Sequence, residues 1–242
     1  MQITEMLLTP NKYSRPQTAL KKVTKIAVHY VGNAGSSAKG NRNYFENLKS
    51  GNSGIYASSH YIIGMEGEVI RCVPENEIAY CTNQANSYSI SIECCHPRSD
   101  GIFTSATRQS LTELCAKLCV RYGLDPVNDI IRHYDVTGKH CPLCWVNDPR
   151  DFVKFKNEVK EYIDKEDVDM KELEKLEERV AALENSGEKV FDSIENVPEW
   201  GRPTVEKLVR CGALKGDGDG LDLSYTLLRL LVINDRVGVY DK

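Results

Sequence analysis

The 242 residues hold no apolar run approaching the ~18 that a membrane span needs. The opening MQITEMLLTPNKYSRPQ has neither the basic start nor the apolar stretch of a secretory leader. A chain made and kept in the cytosol is the expectation. A basic surplus is missing too. Lys and Arg total 31 against 35 Asp and Glu, a net charge of -4, with no clustered basic stretch to neutralise phosphates, so no nucleic-acid partner is expected. Nine cysteines are an odd number without small-scaffold spacing, which argues against a disulfide framework. Most lie in apolar contexts such as LCAKLCV and read as buried, reduced thiols. The CPLC at 141–144 has no second C-x-x-C, and Cys94 and Cys95 are adjacent, so the pattern of a paired zinc knuckle or a redox pair is weak.

What is present is punctuated regularly. KIAVHYVG (25–32) is apolar and β-branched and ends at Gly32, the pattern of a buried strand. NRNYFENLKSG (41–51) places Tyr44, Phe45 and Leu48 on one helical face. SSHYIIGM (58–65) and EVIRCVP (68–74) flank a turn at Gly67, and SISIECC (89–95) alternates as a further strand. TSATRQSLTELCAKLCVRYG (104–123) carries Leu111, Leu114, Cys115, Leu118 and Cys119 at helical spacing and stops at Gly123. DIIRHYD (129–135) adds a strand and DPRDFVKFKNEVKEYID (148–164) an amphipathic helix. Strands and helices intermixed over 1–164 predict an α/β domain, a central mixed sheet flanked by helices.

Composition changes beyond it. Residues 165–188 are rich in Glu, Lys and Leu, with Leu173, Leu176, Val180 and Leu183 spaced 3, 4 and 3 apart. Two heptads fit either a solvated linker helix or a short dimerising coiled coil. Residues 189–242 form a separate small helical module, below the size at which a lone core is comfortable, and packing on a second copy would relieve that. Its GDGDG loop lacks the bidentate Glu of a full EF-hand and reads as a turn between helices.

The run RHYDVTGKHCP (132–142) gathers His133, Lys139 and Cys141 around Gly138. With His29 at the end of a strand, these would give three nitrogen and sulfur ligands at strand ends and leave a fourth tetrahedral position open, the pattern of a catalytic zinc site. Spacing alone does not decide it, because His-x7-Cys is no metal fingerprint and unrelated loop residues would look the same. The segments KIAVHYVGN, SSHYIIGMEGEVIRCVPENEIAYCT, NSYSISIECC and RHYDVTGKHCP, in that order over about 20–163, resemble the zinc-dependent N-acetylmuramoyl-L-alanine amidases of the type-2 class, whose fold is shared with peptidoglycan-recognition proteins and many phage endolysins.

The resemblance implies Zn2+ held by His29, His133 and Cys141, where many relatives have Asp in place of the cysteine. It implies Glu93 as the base toward the zinc-activated water, although an edge-strand carboxylate would look alike. Lys139 would stabilise an oxyanion on the scissile carbonyl. Several short relatives place a tyrosine before the strand histidine. Here Ser59 precedes His60, which shifts weight from any phenol to Glu93. His60 either lines the groove or is satisfied within the sheet. Tyr30, Asn33, Asn86 and Thr137 are weaker candidates for substrate contacts.

The tail resembles one S-layer-homology-type unit, with an initial Phe-Asp, a Trp before a helix and an Arg-bearing second helix, and this implies cell-wall binding. The expected activity is therefore cleavage of the bond between N-acetylmuramic acid and L-alanine by an endolysin of a Gram-positive host, held in the host cytoplasm until lysis. A non-catalytic peptidoglycan-binding protein and a cytosolic muropeptide-recycling amidase are the alternatives. A homo-oligomer through the tail is expected. Lys165–Asp167 can be encoded by a purine-rich stretch like a ribosome-binding site, so a shorter product beginning at Met170 is expected as well.

Overall fold

The computed structural model describes residues 1–185, 187, 189–216 and 220–241, without the side chains of Asp167, Asp169, Glu174 and residues 182–185. The side chain of Leu183 in the heptad stripe and the centre of the GDGDG loop thus lie outside the described residues. The chain divides into two compact units, Met1–Met170 and Lys171–Lys242. The first contains β1 (Ile3–Glu5), β2 (Lys25–Tyr30), α1 (Ala38–Asn47), β3 (Tyr61–Ile63), β4 (Val69–Arg71), β5 (Ser89–Cys94), α2 (Ser105–Tyr122), α3 (Pro126–Asp129), β6 (Ile130–Arg132), α4 (His133–Thr137) and α5 (Leu143–Asn147). A final helix, α6, begins here and runs Pro149–Asn185.

Six strands form one sheet in the order β1-β4-β3-β5-β2-β6. Only β3 and β4 pair antiparallel, across the turn at Gly67. The remaining ladders are parallel, so β3, β5, β2 and β6 all end at one edge. Alternation divides the central strands between two faces. Ile26, Val28, Ile90, Ile92 and Cys94 pack with Leu111, Leu114, Cys115 and Leu118 of α2 and with Phe152, Phe155 and Val159 of α6. On the other face Ile62 and Ile70 pack with Ala38, Phe45 and Leu48 beneath α1. The sheet is therefore an α/β layer covered on both sides, as its apolar strands require.

Local signals place the helices. Thr104 caps α2 through its hydroxyl, which accepts from the Thr107 N–H, and Gly123 ends the helix with φ +63°. Trp145 is fully buried, stacks on Phe155 at 4.7 Å and meets Phe103 edge-on at 5.4 Å. That packing anchors the segment after Cys141. The amphipathic helix expected to end near residue 164 and the charged helix expected after it are one continuous element. β1 was not legible as a strand.

In the second unit β7 (Val190–Phe191) and β8 (Leu223–Ser224) pair antiparallel, and α7 (Arg202–Arg210) and α8 (Tyr225–Arg236) complete it. Phe191, Val197, Val205, Leu208, Leu223, Leu228 and Val232 are buried there. This is a small core.

Candidate metal and active centre

The site begins with register. In the parallel ladder between β2 and β5, His29 stands directly opposite Glu93. Both belong to the face on which their strands carry Ala27, Ser89 and Ser91, away from α2, because alternation sends their neighbours Val28, Ile92 and Cys94 into that core. On the other side of β2, Val28 pairs with Arg132, and the next residue, His133, opens α4. Three adjacent strands thus deliver His29, Glu93 and His133 at their carboxyl ends, the edge where parallel sheets present ligands.

Cys141 is returned to that edge by a short loop. α4 ends at Gly138, whose φ of +75° is one that a side chain would resist, and the chain doubles back. The Tyr134 N–H then donates to the Cys141 carbonyl at 3.0 Å, and the Cys141 N–H donates to the Lys139 carbonyl at 2.7 Å. Arg132 clamps the loop from below, donating to the Trp145 carbonyl at 2.9 Å and to Asp135 at 2.6 Å.

His29, His133 and Cys141 are 1%, 6% and 2% exposed, and their ligating atoms lie within 4.8 Å of one another. The Cys141 sulfur is 3.6 Å from His29 Nδ1, and the two imidazole rings meet edge-on with centroids 4.8 Å apart. His29 Nε2 lies 2.8 Å from Thr82 Oγ1, so a ring that ligates through Nδ1 has an acceptor for its other proton. His133 Nδ1 is buried without a hydrogen-bond partner among the described residues. Burying such a nitrogen costs free energy unless something engages it.

Electrostatics point the same way. Burial, with the neighbouring His133 and the charge of Lys139, holds His29 well below the ordinary histidine range, and burial with Lys139 lowers His133. Burial pushes the Cys141 thiol up to about 12, and Glu93 adds to the shift. Burial likewise raises the Glu93 carboxyl to about 8, against the opposing pull of Cys81 and Lys139. Left alone, the pocket favours neutral groups. A divalent cation reverses this for the thiol, since coordination draws out its proton. Two neutral imidazoles, one of them with an orphaned ring nitrogen, and one thiol at one edge of the sheet make a group fit to hold a metal ion, and the donor types suit zinc.

The other sequence-derived candidates separate. Tyr30 is half-buried beside the centre and stacks on His96 at 5.1 Å. Asn33 and Lys139 are exposed in the loops that follow β2 and α4, and Thr137 is exposed at the end of α4. Asn86, expected among the substrate contacts, is half-buried with its side-chain oxygen engaged within the protein. Its Oδ1 accepts from the N–H groups of Cys81 and Thr82 at 3.0 and 2.7 Å and so shapes the turn that reaches His29. His60, expected among the substrate contacts, is 1% exposed. Its Nδ1 meets Ser91 and its Nε2 meets the Glu77 carbonyl at 2.9 Å, which leaves neither nitrogen for a ligand. Ser59 is wholly buried and donates to the Tyr61 carbonyl. Cys81 and Thr82 were missed. They act on residues far away in sequence and sit in a loop without periodicity, where no local pattern marks them.

The family model described as N-acetylmuramoyl-L-alanine amidase matches residues 19–144, half of the chain, and spans every residue of this centre. The chain belongs to the N-acetylmuramoyl-L-alanine amidase family. Among curated amidases, BlyA of Bacillus subtilis (strain 168) is 37% identical over 177 residues, covering 65% of this chain and 46% of the relative. CwlL of Bacillus licheniformis is 38% identical over 161 residues, covering 62% and 44%. The chain thus spans about half the length of the curated amidases it matches. Among solved structures, the PlyG catalytic domain superposes with a TM-score of 0.56 at 25% identity, covering 67% of this chain and 96% of that one. PlyL gives 0.56 at 24%, covering 66% and 97%, a likeness of fold. The amidase fold accounts for the six-stranded sheet and its flanking helices.

Proposed function

We propose that this chain is a zinc-dependent peptidoglycan hydrolase that cleaves the amide between the N-acetylmuramic acid lactyl group and L-alanine. The observation that carries the reading is the convergence of His29, His133 and Cys141 with Glu93 at the carboxyl ends of β5, β2 and β6. In a donor set of this kind, zinc supplies Lewis acidity to a carbonyl and brings the pKa of a water down to about 7. The protein's own groups do the rest. Glu93 accepts the proton that the attacking water gives up and returns it to the departing alanine amine. The Lys139 ammonium offsets the negative charge that grows on the scissile carbonyl oxygen. Tyr30, Asn33 and Thr137, on the segments that carry His29 and His133, are the side chains assigned to the glycan and the peptide stem.

The wider setting follows from the amidase reading. The chain acts as an endolysin on a Gram-positive wall, waiting in the host cytoplasm until lysis. Residues 189–242 bind the wall, and residues 165–188 link the two parts, with a shorter product beginning at Met170.

The test is purified Gram-positive wall incubated with the full chain, with and without a chelator. Loss of turbidity together with new alanine amino termini, abolished by the chelator and restored by zinc, is the expected outcome. Release of reducing sugar instead of amines would assign a glycosidase, and activity confined to soluble muropeptides would assign a recycling enzyme.

A further inference from the structure

A general base works only if its carboxylate is held in one orientation, and Glu93 has few restraints. Among the described residues neither of its oxygens accepts a backbone N–H or pairs with a cation. Its one hydrogen-bond partner is the Cys81 thiol, with Sγ 3.6 Å from Oε1. Oε2 is buried and has none. Cys81 is itself fixed, because its N–H and that of Thr82 both donate to Asn86 Oδ1. One clamped turn therefore makes two contacts with the centre, Thr82 to His29 and Cys81 to Glu93.

The geometry points to Cys81 as a positioning residue for Glu93: its S–H donates to Oε1 and fixes the carboxylate, so that Oε2 is the oxygen that exchanges the proton. This rests on Glu93 being the base. A thiol carries a single proton and no charge, so it orients the carboxylate without the strong stabilisation of the anion that an arginine would impose. The base is held and still basic. Cys81 also has a rival role. With His29 and Glu93 it forms a second group whose ligating atoms lie within 4.8 Å of one another, so it is placed to bind a metal directly.

The experiment separates the two roles in the full-length chain. Cys81→Ala, Cys81→Ser, Glu93→Gln and the double variant Cys81→Ala/Glu93→Gln are loaded with zinc, and metal per chain, thermal midpoint, kcat and KM on a soluble muramoyl peptide are measured. The expected result for Cys81→Ala is unchanged zinc content and a kcat lower by about tenfold, the effect of losing one hydrogen bond to a charged group, with KM unmoved. Cys81→Ser restores part of it, and on the Glu93→Gln background the Cys81→Ala change costs nothing more. A second readout needs no substrate and no metal. The infrared S–H stretch assigned to Cys81 by difference lies at the low frequency of a donating thiol and shifts up in Glu93→Gln.

Loss of zinc in Cys81→Ala would assign the residue to the metal and overturn the inference. So would an equal fall in kcat on both backgrounds, or an S–H band that ignores Glu93. An inactive wild-type chain would sink the functional reading instead, and the S–H band would still decide whether the thiol is donated to Glu93.

Discussion

His29 shows how much of a site can depend on one hydroxyl. Its Nε2 has a single partner among the described residues, Thr82 Oγ1, and that partner lies in a loop 53 residues away. Removing the outer hydrogen bond of a ligating histidine typically lowers metal affinity by about 10–100-fold. Thr82→Ala is expected to weaken zinc binding by that factor, read by competition with a chromophoric chelator, and Thr82→Ser to keep most of it. Equal affinity in all three proteins would show that Thr82 does not hold the ring. Glu93→Gln is expected to bind zinc normally and lose about 10²–10⁴ in kcat, the usual share of a general base. Loss of metal there would make Glu93 a ligand. At this scale the sequence was legible where chemistry repeats a family pattern, at His29, Glu93, His133 and Cys141. It was illegible where the contact is made by tertiary folding alone. Thr82 and Cys81 carry no sign of their targets, and nothing local distinguishes a histidine turned into the sheet, as His60 is, from one facing a groove.

At the scale of elements, α1 is tied to the chain that follows β1 by Arg42, which donates to the Met6 and Leu7 carbonyls at 2.9 and 2.6 Å, and by the carboxylate of Glu46. Glu46 accepts from the Thr9 hydroxyl at 2.6 Å and the Thr9 N–H at 3.1 Å, and pairs with Lys49 at 2.7 Å and Arg42 at 3.1 Å. Partial burial alone would raise its pKa, but Lys49, Thr9 and Arg42 together lower it from 4.5 to about 2. Because the folded-state value lies below the unfolded one, the stabilisation is fully present above pH 4.5 and is lost as the pH falls toward 2. Glu46→Gln should melt about 2–4 °C below wild type at neutral pH, with the gap closing as the pH falls through that window. A gap that stays constant with pH would show that the carboxylate's charge is not what holds α1. Elements marked by caps and periodicity, such as α2 between Thr104 and Gly123, could be read directly from the residues. β1 could not, since three residues reading Ile-Thr-Glu at a sheet edge have no alternation to show. Neither could the union of two helical stretches into α6, because the composition changes near residue 165 while the helical backbone continues.

At the scale of the whole molecule, the unit Met1–Met170 holds the entire six-stranded sheet, both of its core clusters and every residue of the candidate metal centre. A chain ending at Met170 is therefore expected to fold and to cleave soluble muramoyl peptide at the rate of the full protein. On intact walls it should be slower, because a wall-bound module converts each encounter into an intramolecular one, a gain of 10²–10⁴ in effective affinity when both parts engage. The difference should be largest at low enzyme concentration and vanish at saturation. Equal activity on walls at every concentration would deny residues 171–242 a tethering role. Those residues also carry the stripe of Leu173, Leu176 and Val180, which are 49%, 52% and 52% exposed at spacings of three and four on α6. Apolar side chains in that spacing bury most of their area when two helices pair along it, and two heptads are few enough that pairing depends on concentration. Sedimentation of the full chain should show a monomer–dimer equilibrium that Leu176→Lys shifts wholly to monomer, since a cation in the seam has no partner there. A dimer that survives Leu176→Lys would place self-association in residues 189–242, and a monomer at every concentration would leave α6 a solvated linker.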